Sequence, residues 1–487
     1  MSFSEYLSTY LKDNKISVTK LAKTLDVERT TIYRYINGER VPKDVESVDQ
    51  IAKALCMKND ERSKLFKEYD KAVLGDDVVN SYIYLKDLLN GLNNAVDIPP
   101  IHFSIIPNDE PKHYEYDTNF TPIYSTGAIK SFVGKMLREV LASKKTNRYV
   151  KTIMHPTNKD INGLLIPFLG GTDIRLEQIV CFEKMFEKCY VNLEILKNVI
   201  PLSFSLKNYN AFYHYDNLES HYNSMSILPN LIVTNSEALM FDHEGQSGFY
   251  SSNPKVVKYF SDMFDKNSQT CFTLLEKGND TNDVRTMNQA LTSTNPGTLF
   301  NSPCLAPCLD YSIMKKRICN FPQKNKLIDS LIYQYGDWNG SEHIGNKYVD
   351  FFTSFCTKNG FRYFVETGRV GEFPEFFYEP FTVEERINVL KRSIIMIKEK
   401  HCEYIIAKDG IALPDKIQLY YNKDEKTVAF RQISKNKLLQ ISVNEISVFN
   451  TVVNYIEYLK MKNLILSEKE AVDFIQDLID NKFGEAD

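Results

Sequence analysis

The chain has 487 residues, too many for one ordinary domain, so two or three domains are expected. Hydrophobic residues make up 43% and charged residues 25%, as in a well-packed globular protein, and no apolar run is long enough to span a membrane. The formal net charge of -4 argues against general affinity for nucleic acids. The nine scattered cysteines and the absence of a signal peptide predict a cytoplasmic protein with reduced thiols.

The first 75 residues carry the periodicity of five short amphipathic helices. We predict these helices over 4–14, after a cap at Ser17 or Thr19, over 28–36, across 45–55 and over 60–74. Val27 is expected to fill the angle between the second and third helices. Asn37 and Gly38 should end the third helix, because glycine tolerates the left-handed backbone of many helix stops.

This pattern resembles the lambda-repressor/Cro-like helix-turn-helix family, also called the XRE family. The matching residues are Leu21 and Ala22, Val27 and Ile32 across the turn, the run 37–42, and the run 51–55. The family often has glutamine at the start of its second helix, where this chain has Val18; Thr19 and Lys20 are placed to take over that phosphate contact. The resemblance implies an all-α, five-helix DNA-binding domain over 1–75. The alternative is a bundle that mediates protein contacts only.

In such a domain the third helix enters the major groove and reads base edges. The resemblance assigns this base-reading role to Glu28, Arg29, Thr30, Tyr33 and Arg34. It assigns phosphate contacts to Thr19, Lys20, Lys23, Asn37, Arg40 and Lys43, which set register rather than sequence. Positions 12–43 hold eight basic residues against four acidic ones, a local excess that predicts a charged docking face.

Beyond the bundle, helix and strand patterns alternate, which predicts a mixed α/β (α+β) C-terminal region of two subdomains. We place a connecting helix and linker at 76–100, an α/β sensor or dimerisation domain at 101–300, and a second α/β subdomain with C-terminal helices at 301–487. Three short strands and a helix over 228–265 are loosely echoed by strands and a helix after residue 403. This recurring order of elements indicates that the C-terminal region has two related halves.

Signatures of catalysis are missing from the sequence. It contains no Gly-Lys-Ser/Thr phosphate loop, no Gly-x-Ser-x-Gly elbow, no His-Glu-x-x-His helix and no His-x-Lys pair. Cys304, Cys308 and Cys319 are more simply explained as buried thiols than as zinc ligands. A metal could be bound by His214 and His221 together with Asp216 or Glu219. We instead assign these residues to a polar, aromatic loop. We therefore expect no catalytic residue, no metal and no cofactor.

One aromatic stretch, 361–381, combines eight aromatic residues with a few charges. Aromatic walls with fixed charges suit a small-molecule pocket, and Arg362, Glu366, Arg369 and Phe373 are the candidate ligand-binding residues. The same composition suits a contact between domains or subunits, or core packing.

Taken together, these features predict a sequence-specific transcriptional regulator that binds a palindromic double-stranded DNA operator as a homodimer. Its C-terminal region would either sense an effector, which is a small molecule or a protein, or mediate oligomerisation. No membrane partner is expected. The alternatives are an antitoxin-like protein-interaction module and an enzyme fused to a DNA-binding domain.

Overall fold

The computed structural model describes residues 1–95, 120–155, 158–184, 190–217, 228–277, 296–309, 313, 316–318, 351–373, 375, 378–408, 411, 413–434, 437–443 and 445–483. The chain divides into two compact units. The first comprises Met1–Leu85 with Thr451–Lys462, and the second comprises Lys86–Asn450 with Asn463–Asp487. Among the described helices, none combines the length and apolar character needed to cross a bilayer.

The N-terminal region is all-α, as predicted. Its helices are α1 (Phe3–Asp13), α2 (Val18–Thr24), α3 (Arg29–Ile36), α4 (Val45–Ala54), α5 (Asn59–Leu74) and α6 (Asp76–Ala95). Polar caps fix where α1, α2 and α4 begin, because the first backbone N–H groups of a helix lack partners within it. The Ser17 hydroxyl accepts from the Lys20 N–H at the start of α2, so Ser17 rather than Thr19 is the cap. Asp44 caps α4 by accepting from the Ser47 N–H.

The bundle packs around one apolar core, which the periodicity predicted. Its buried members are Phe3, Tyr6, Leu7, Leu11, Leu21, Ala22, Ile32, Val48, Ile51, Ala52, Leu55, Leu65 and Tyr69. The expectation for Val27 is wrong, since its side chain is 39% exposed. The α2–α3 turn is closed by backbone instead, through the bond from the Val27 N–H to the Ala22 carbonyl and a left-handed Asp26 with φ of 53°.

A helix from near the end of the sequence completes the first unit. Helix α13 (Ile446–Met461) belongs to this unit from Thr451 onward. The Tyr82 ring of α6 stacks on Tyr455 and on Tyr458, with centroid distances of 5.5 Å and 4.1 Å. We call residues 451–462 the α13 segment.

A buried carboxylate adds a polar link between the α13 segment and α5. Asp70 is only 6% exposed and follows the core residue Tyr69. It accepts hydrogen bonds from the Tyr458 hydroxyl at 3.2 Å and from the Lys462 ammonium at 2.6 Å. The carboxylate is therefore paired, which a buried charge requires. Its partners lie almost four hundred residues away in sequence.

The second unit contains two sheets, which confirms the mixed α/β class. Elements of its first half are β1 (Thr121–Ile123), α7 (Thr126–Ala142), β2 (Tyr149–Ile153), α8 (Lys159–Leu169), β3 (Arg175–Glu183), α9 (Asn192–Ser205), β4 (Tyr209–Asp216), β5 (Asn230–Thr234), β6 (Ala238–Phe241), β7 (Gly248–Ser251), α10 (Pro254–Ser268) and β8 (Phe272–Thr273). The strand order is β1-β7-β6-β5-β2-β3-β4-β8. Strands β2, β3 and β4 are parallel, and β5, β6 and β7 form an antiparallel meander beside β2.

The second sheet follows directly along the chain. Its elements are β9 (Leu275–Lys277), β10 (Pro296–Leu299), a short 3-10 helix (Ala306–Cys308), β11 (Phe352–Thr357), α11 (Lys358–Thr367), α12 (Val383–Lys398), β12 (Cys402–Ala407), β13 (Ile417–Asn422), β14 (Thr427–Ser434), β15 (Lys437–Val443), the start of α13, and α14 (Glu468–Phe483). The strand order is β12-β11-β10-β13-β14-β15-β9. This sheet begins at β9, before the division predicted at residue 300.

The two sheets share one topology. In each, three parallel strands run in sequence order, and a three-stranded antiparallel meander starts beside the first of them. In each, the strand that precedes the parallel set (β1 or β9) pairs with the last meander strand, and a helix follows (α10 or α13). The correspondence covers seven strands, and it extends the echo seen in the sequence to two structurally equivalent halves.

One local expectation is corrected by this fold, and one of the alternatives left open for the aromatic stretch is favoured. Strand β4 occupies Tyr209–Asp216, so His214 lies in a strand parallel to β3 and not in a loop. His221 and Glu219 lie outside the described residues. Phe373 is 6% exposed and packs in the core beneath α11, α12 and α14, which favours core packing over a pocket for the aromatic stretch.

Candidate nucleic-acid interface

Helix α3 is short, and its two faces differ sharply in exposure. Glu28 stands at the N-cap in extended conformation, and Asn37 is the C-cap. Ile32 is fully buried and anchors the inner face, while Ile36 packs against the same core. The opposite face is therefore left to solvent by the bundle itself.

All eleven residues predicted to contact DNA lie on the surface. The five assigned to base reading (Glu28, Arg29, Thr30, Tyr33, Arg34) and the six assigned to phosphates (Thr19, Lys20, Lys23, Asn37, Arg40, Lys43) are exposed. The first five occupy the N-cap and the first two turns of α3, the part of a recognition helix that meets base edges. Their roles stay predictions, since exposure is necessary for such contacts but does not establish them.

Two side-chain pairs organise the outer face of α3. The Arg29 guanidinium donates from Nη2 to the Tyr33 hydroxyl at 2.8 Å, and its central carbon lies 5.2 Å from the Tyr33 ring centroid. The Thr30 hydroxyl donates to the Glu28 carboxylate at 3.0 Å. The sequence assigned each residue separately, although the four-residue spacing of Arg29 and Tyr33 was a signal that they meet.

The segments beside α3 are held by backbone geometry. Gly38 adopts a φ of 75°, and a Cβ there would meet the Ser4 hydroxyl at 3.2 Å, so glycine suits this stop on both counts. The N–H groups of Glu39 and Arg40 both donate to the Arg34 carbonyl. Val18, at the position of the family's glutamine, is half-buried and packs against the core. Of its neighbours, Thr19 and Lys20 are exposed.

No cluster of metal-ligating side chains exists within the part of the chain that the structure describes. Cys304 and Cys308 are free and buried there, while Cys319 lies outside the described residues.

A cleft of about 430 Å³ opens at the amino ends of β2, β3 and β4, and none of the four candidate ligand-binding residues lines it. Arg369 instead donates to the Glu375 and Tyr378 carbonyls, which ties down the turn after α11.

A buried ionisable cluster lies where the turn between β5 and β6 meets β7 and α7. Glu237 is 1% exposed and accepts from the Tyr250 hydroxyl at 2.5 Å, while the Lys135 ammonium lies 3.5 Å from the same carboxylate. Burial raises the pKa of Glu237 to about 7, against the opposing effects of Tyr250 and Lys135. The pKa of Lys135 is raised despite partial burial, by its hydrogen bond to Tyr250 and by Glu237. Burial affects the pKa of Glu237 more strongly than the positive charge of Lys135 does, because Lys135 is more accessible to water.

Stability of the second unit should therefore depend on pH through Glu237. The unfolded chain titrates this carboxyl near 4.5 and the folded chain near 7, so the contribution of Glu237 to stability is complete below pH 4.5 and is lost as pH rises through 7. The loss is about 3 kcal/mol for this shift. We expect Glu237→Gln, which still accepts from Tyr250, to raise Tm at pH 8 and leave it unchanged at pH 4.5. Equal Tm differences at both pH values in calorimetric scans would contradict this.

Three solved structures show similarity over much of the chain, but with low TM-scores. TrmBL2, an archaeal chromatin protein described with a novel mode of DNA binding, is 10% identical, covering 56% of this chain and 94% of its own, with a TM-score of 0.22. Polyphosphate kinase from Porphyromonas gingivalis is 8% identical, covering 74% and 55%, with a TM-score of 0.21. Phosphatidylserine synthase from Haemophilus influenzae Rd KW20 is 6% identical, covering 76% and 94%, with a TM-score of 0.21. Scores this low support no argument about fold or activity.

The informative match lies in the N-terminal bundle. No curated protein shows significant similarity to the chain. A family model described as a Cro/C1-type HTH DNA-binding domain matches residues 6–60, which span α1 to the start of α5. This range includes the α2–α3 turn and all eleven predicted contact residues. Residues 6–60 are therefore a Cro/C1-type helix-turn-helix DNA-binding domain, as the resemblance to the lambda-repressor/Cro-like family implied.

Proposed function

We propose that the protein is a cytoplasmic, sequence-specific transcriptional regulator that binds a palindromic operator as a homodimer. The observation that carries the proposal is a Cro/C1-type domain whose recognition helix presents five polar side chains on an open face. The local excess of basic residues over 12–43 supports docking on phosphates, in a chain whose net charge is -4. Specific binding thus requires base contacts in addition to charge.

Dimerisation is proposed because one recognition helix covers only a few base pairs. Two helices that read half-sites about one DNA turn apart, ~34 Å, would multiply selectivity. The operator of such a dimer is palindromic because the protein's two-fold symmetry is mirrored in the DNA.

The two-sheet unit is proposed to sense an effector or to assemble the oligomer, and not to catalyse a reaction. Its described cysteines support this assignment, because burial raises the pKa of Cys304 and raises that of Cys308 to about 12. Thiols held protonated in this way are poor nucleophiles. An effector would act by binding more tightly to one arrangement of the dimer than to another.

Capture of genomic fragments by the purified full-length protein at moderate salt tests the proposal. We expect enrichment of a short motif with two inverted half-sites whose centres are separated by about one helical turn. Sedimentation of the protein on that motif should show two chains per duplex. A regulator of this kind is ruled out if fragments are retained without a common motif, or if none is retained while a stoichiometric protein partner co-purifies.

A further inference from the structure

We infer that Tyr33 is a positioning residue that fixes the Arg29 guanidinium for a guanine, and does not read a base itself. This inference rests on the proposed function, since it concerns how the same helix selects its operator. It changes the role assigned to Tyr33, which the sequence placed among the direct base readers.

The geometry separates the two residues by role. Arg29 lies in the first turn of α3, where side chains reach base edges, and Tyr33 lies one turn further on along the same face. The Tyr33 hydroxyl accepts from Arg29 Nη2 at 2.8 Å, and the guanidinium carbon lies 5.2 Å from the ring centroid. A hydrogen bond and a ring contact thus hold one guanidinium from the same neighbour.

Fixing this side chain has an energetic consequence. A free arginine side chain carries about 2 kcal/mol of rotamer entropy, which base recognition must otherwise overcome. The guanidinium has five N–H donors, and the contact with Tyr33 uses one. Enough donors remain to engage O6 and N7 of a guanine.

The neighbouring carboxylate is kept occupied on the same face. Glu28 accepts from the Thr30 hydroxyl at 3.0 Å, while the Arg29 guanidinium donates to the Tyr33 hydroxyl. An arginine bound by its neighbouring carboxylate would lose charge and donors for DNA. The two pairings, Arg29 with Tyr33 and Thr30 with Glu28, therefore leave the arginine charge available to the groove.

Selection from a library of short random duplexes tests the assignment on the full-length protein. The comparison uses wild type, Tyr33→Phe, Arg29→Ala and the double variant. We expect Tyr33→Phe to lower the guanine preference about 3- to 10-fold at one position of each half-site, the same position that Arg29→Ala affects. In the double variant, Tyr33→Phe should cause no further loss beyond that of Arg29→Ala.

Tyr35→Phe is the matched control, since Tyr35 lies on the same helix but packs against the core. It should leave the selected motif unchanged. The inference is overturned if Tyr33→Phe keeps the wild-type guanine preference, or if it alters a base pair other than the one lost with Arg29. If wild type selects no motif at all, the proposed function fails first, and that outcome is visible before any variant is compared.

Discussion

Replacing Arg29 and Arg34 together by alanine is expected to abolish selection of the operator while leaving the protein folded. Both side chains are exposed on the outer face of α3, so their removal opens no cavity. A good bidentate base contact contributes about 1–3 kcal/mol to discrimination. Two such losses in each of two half-sites remove about 4 kcal/mol or more, which lowers specific affinity by roughly 1,000-fold or more. Fluorescence anisotropy titrations on the captured motif measure this directly.

The control for this pair is Lys20→Ala with Lys23→Ala, which removes two exposed charges predicted to face phosphates. This variant should weaken binding to all duplexes by similar factors and lower the salt dependence of binding. The two arginine changes should instead weaken binding to the motif far more than to unrelated DNA. If the arginine changes lowered the affinity for the motif and for unrelated DNA equally, the arginines would contribute only through their charge and not through base contacts.

Truncating Tyr455 to alanine should loosen the DNA-binding unit, although this residue lies about four hundred positions from the recognition helix. Tyr455 is 1% exposed and stacks on Tyr82 of α6. Loss of a buried aromatic side chain costs about 3–5 kcal/mol. We expect the amide protons of α5 and α6 to exchange more than 100-fold faster in the variant, as read by hydrogen-exchange mass spectrometry.

Phe361→Ala supplies the matched comparison, because Phe361 is equally buried but packs in the core of the second unit. That variant should accelerate exchange in α11 and β11 and leave residues 1–85 protected as in wild type. If Tyr455→Ala leaves exchange within residues 1–85 unchanged, the α13 segment contributes nothing to the stability of the first unit.

Local periodicity was sufficient to predict the N-terminal bundle. Helices of about two to four turns bury residues three and four apart, and caps such as Ser17 and Asp44 mark some of their starts, so each helix is visible within its own sequence. The same locality explains the misassignment of β4. Its buried positions alternate with exposed ones that carry Asn210 and Asp216, and its strand character depends on pairing with β3.

The candidate site was predictable as a set of residues but not as an arrangement. The resemblance supplied which positions face outward, and every one of them is exposed. The spacing of Arg29 and Tyr33 places them on one helix face, but the hydrogen bond between them depends on side-chain rotamers that the spacing does not fix. The hydrogen bond between Asp70 and Lys462 could not be predicted for a different reason, since the two residues are almost four hundred positions apart in the sequence.

The place of the α13 segment in the sequence has a consequence for how the protein is made. A ribosome adds about 5–20 residues per second, so the DNA-binding bundle leaves the ribosome tens of seconds before residues 451–462. During that interval Tyr82 and Asp70 have none of their α13 partners. The nascent chain can form the five-helix bundle from its own core, but the first unit is closed only when translation is nearly finished. A fragment that ends before that point forms the bundle without these contacts, so we expect its first unit to open more often and to be degraded faster than that of the full chain.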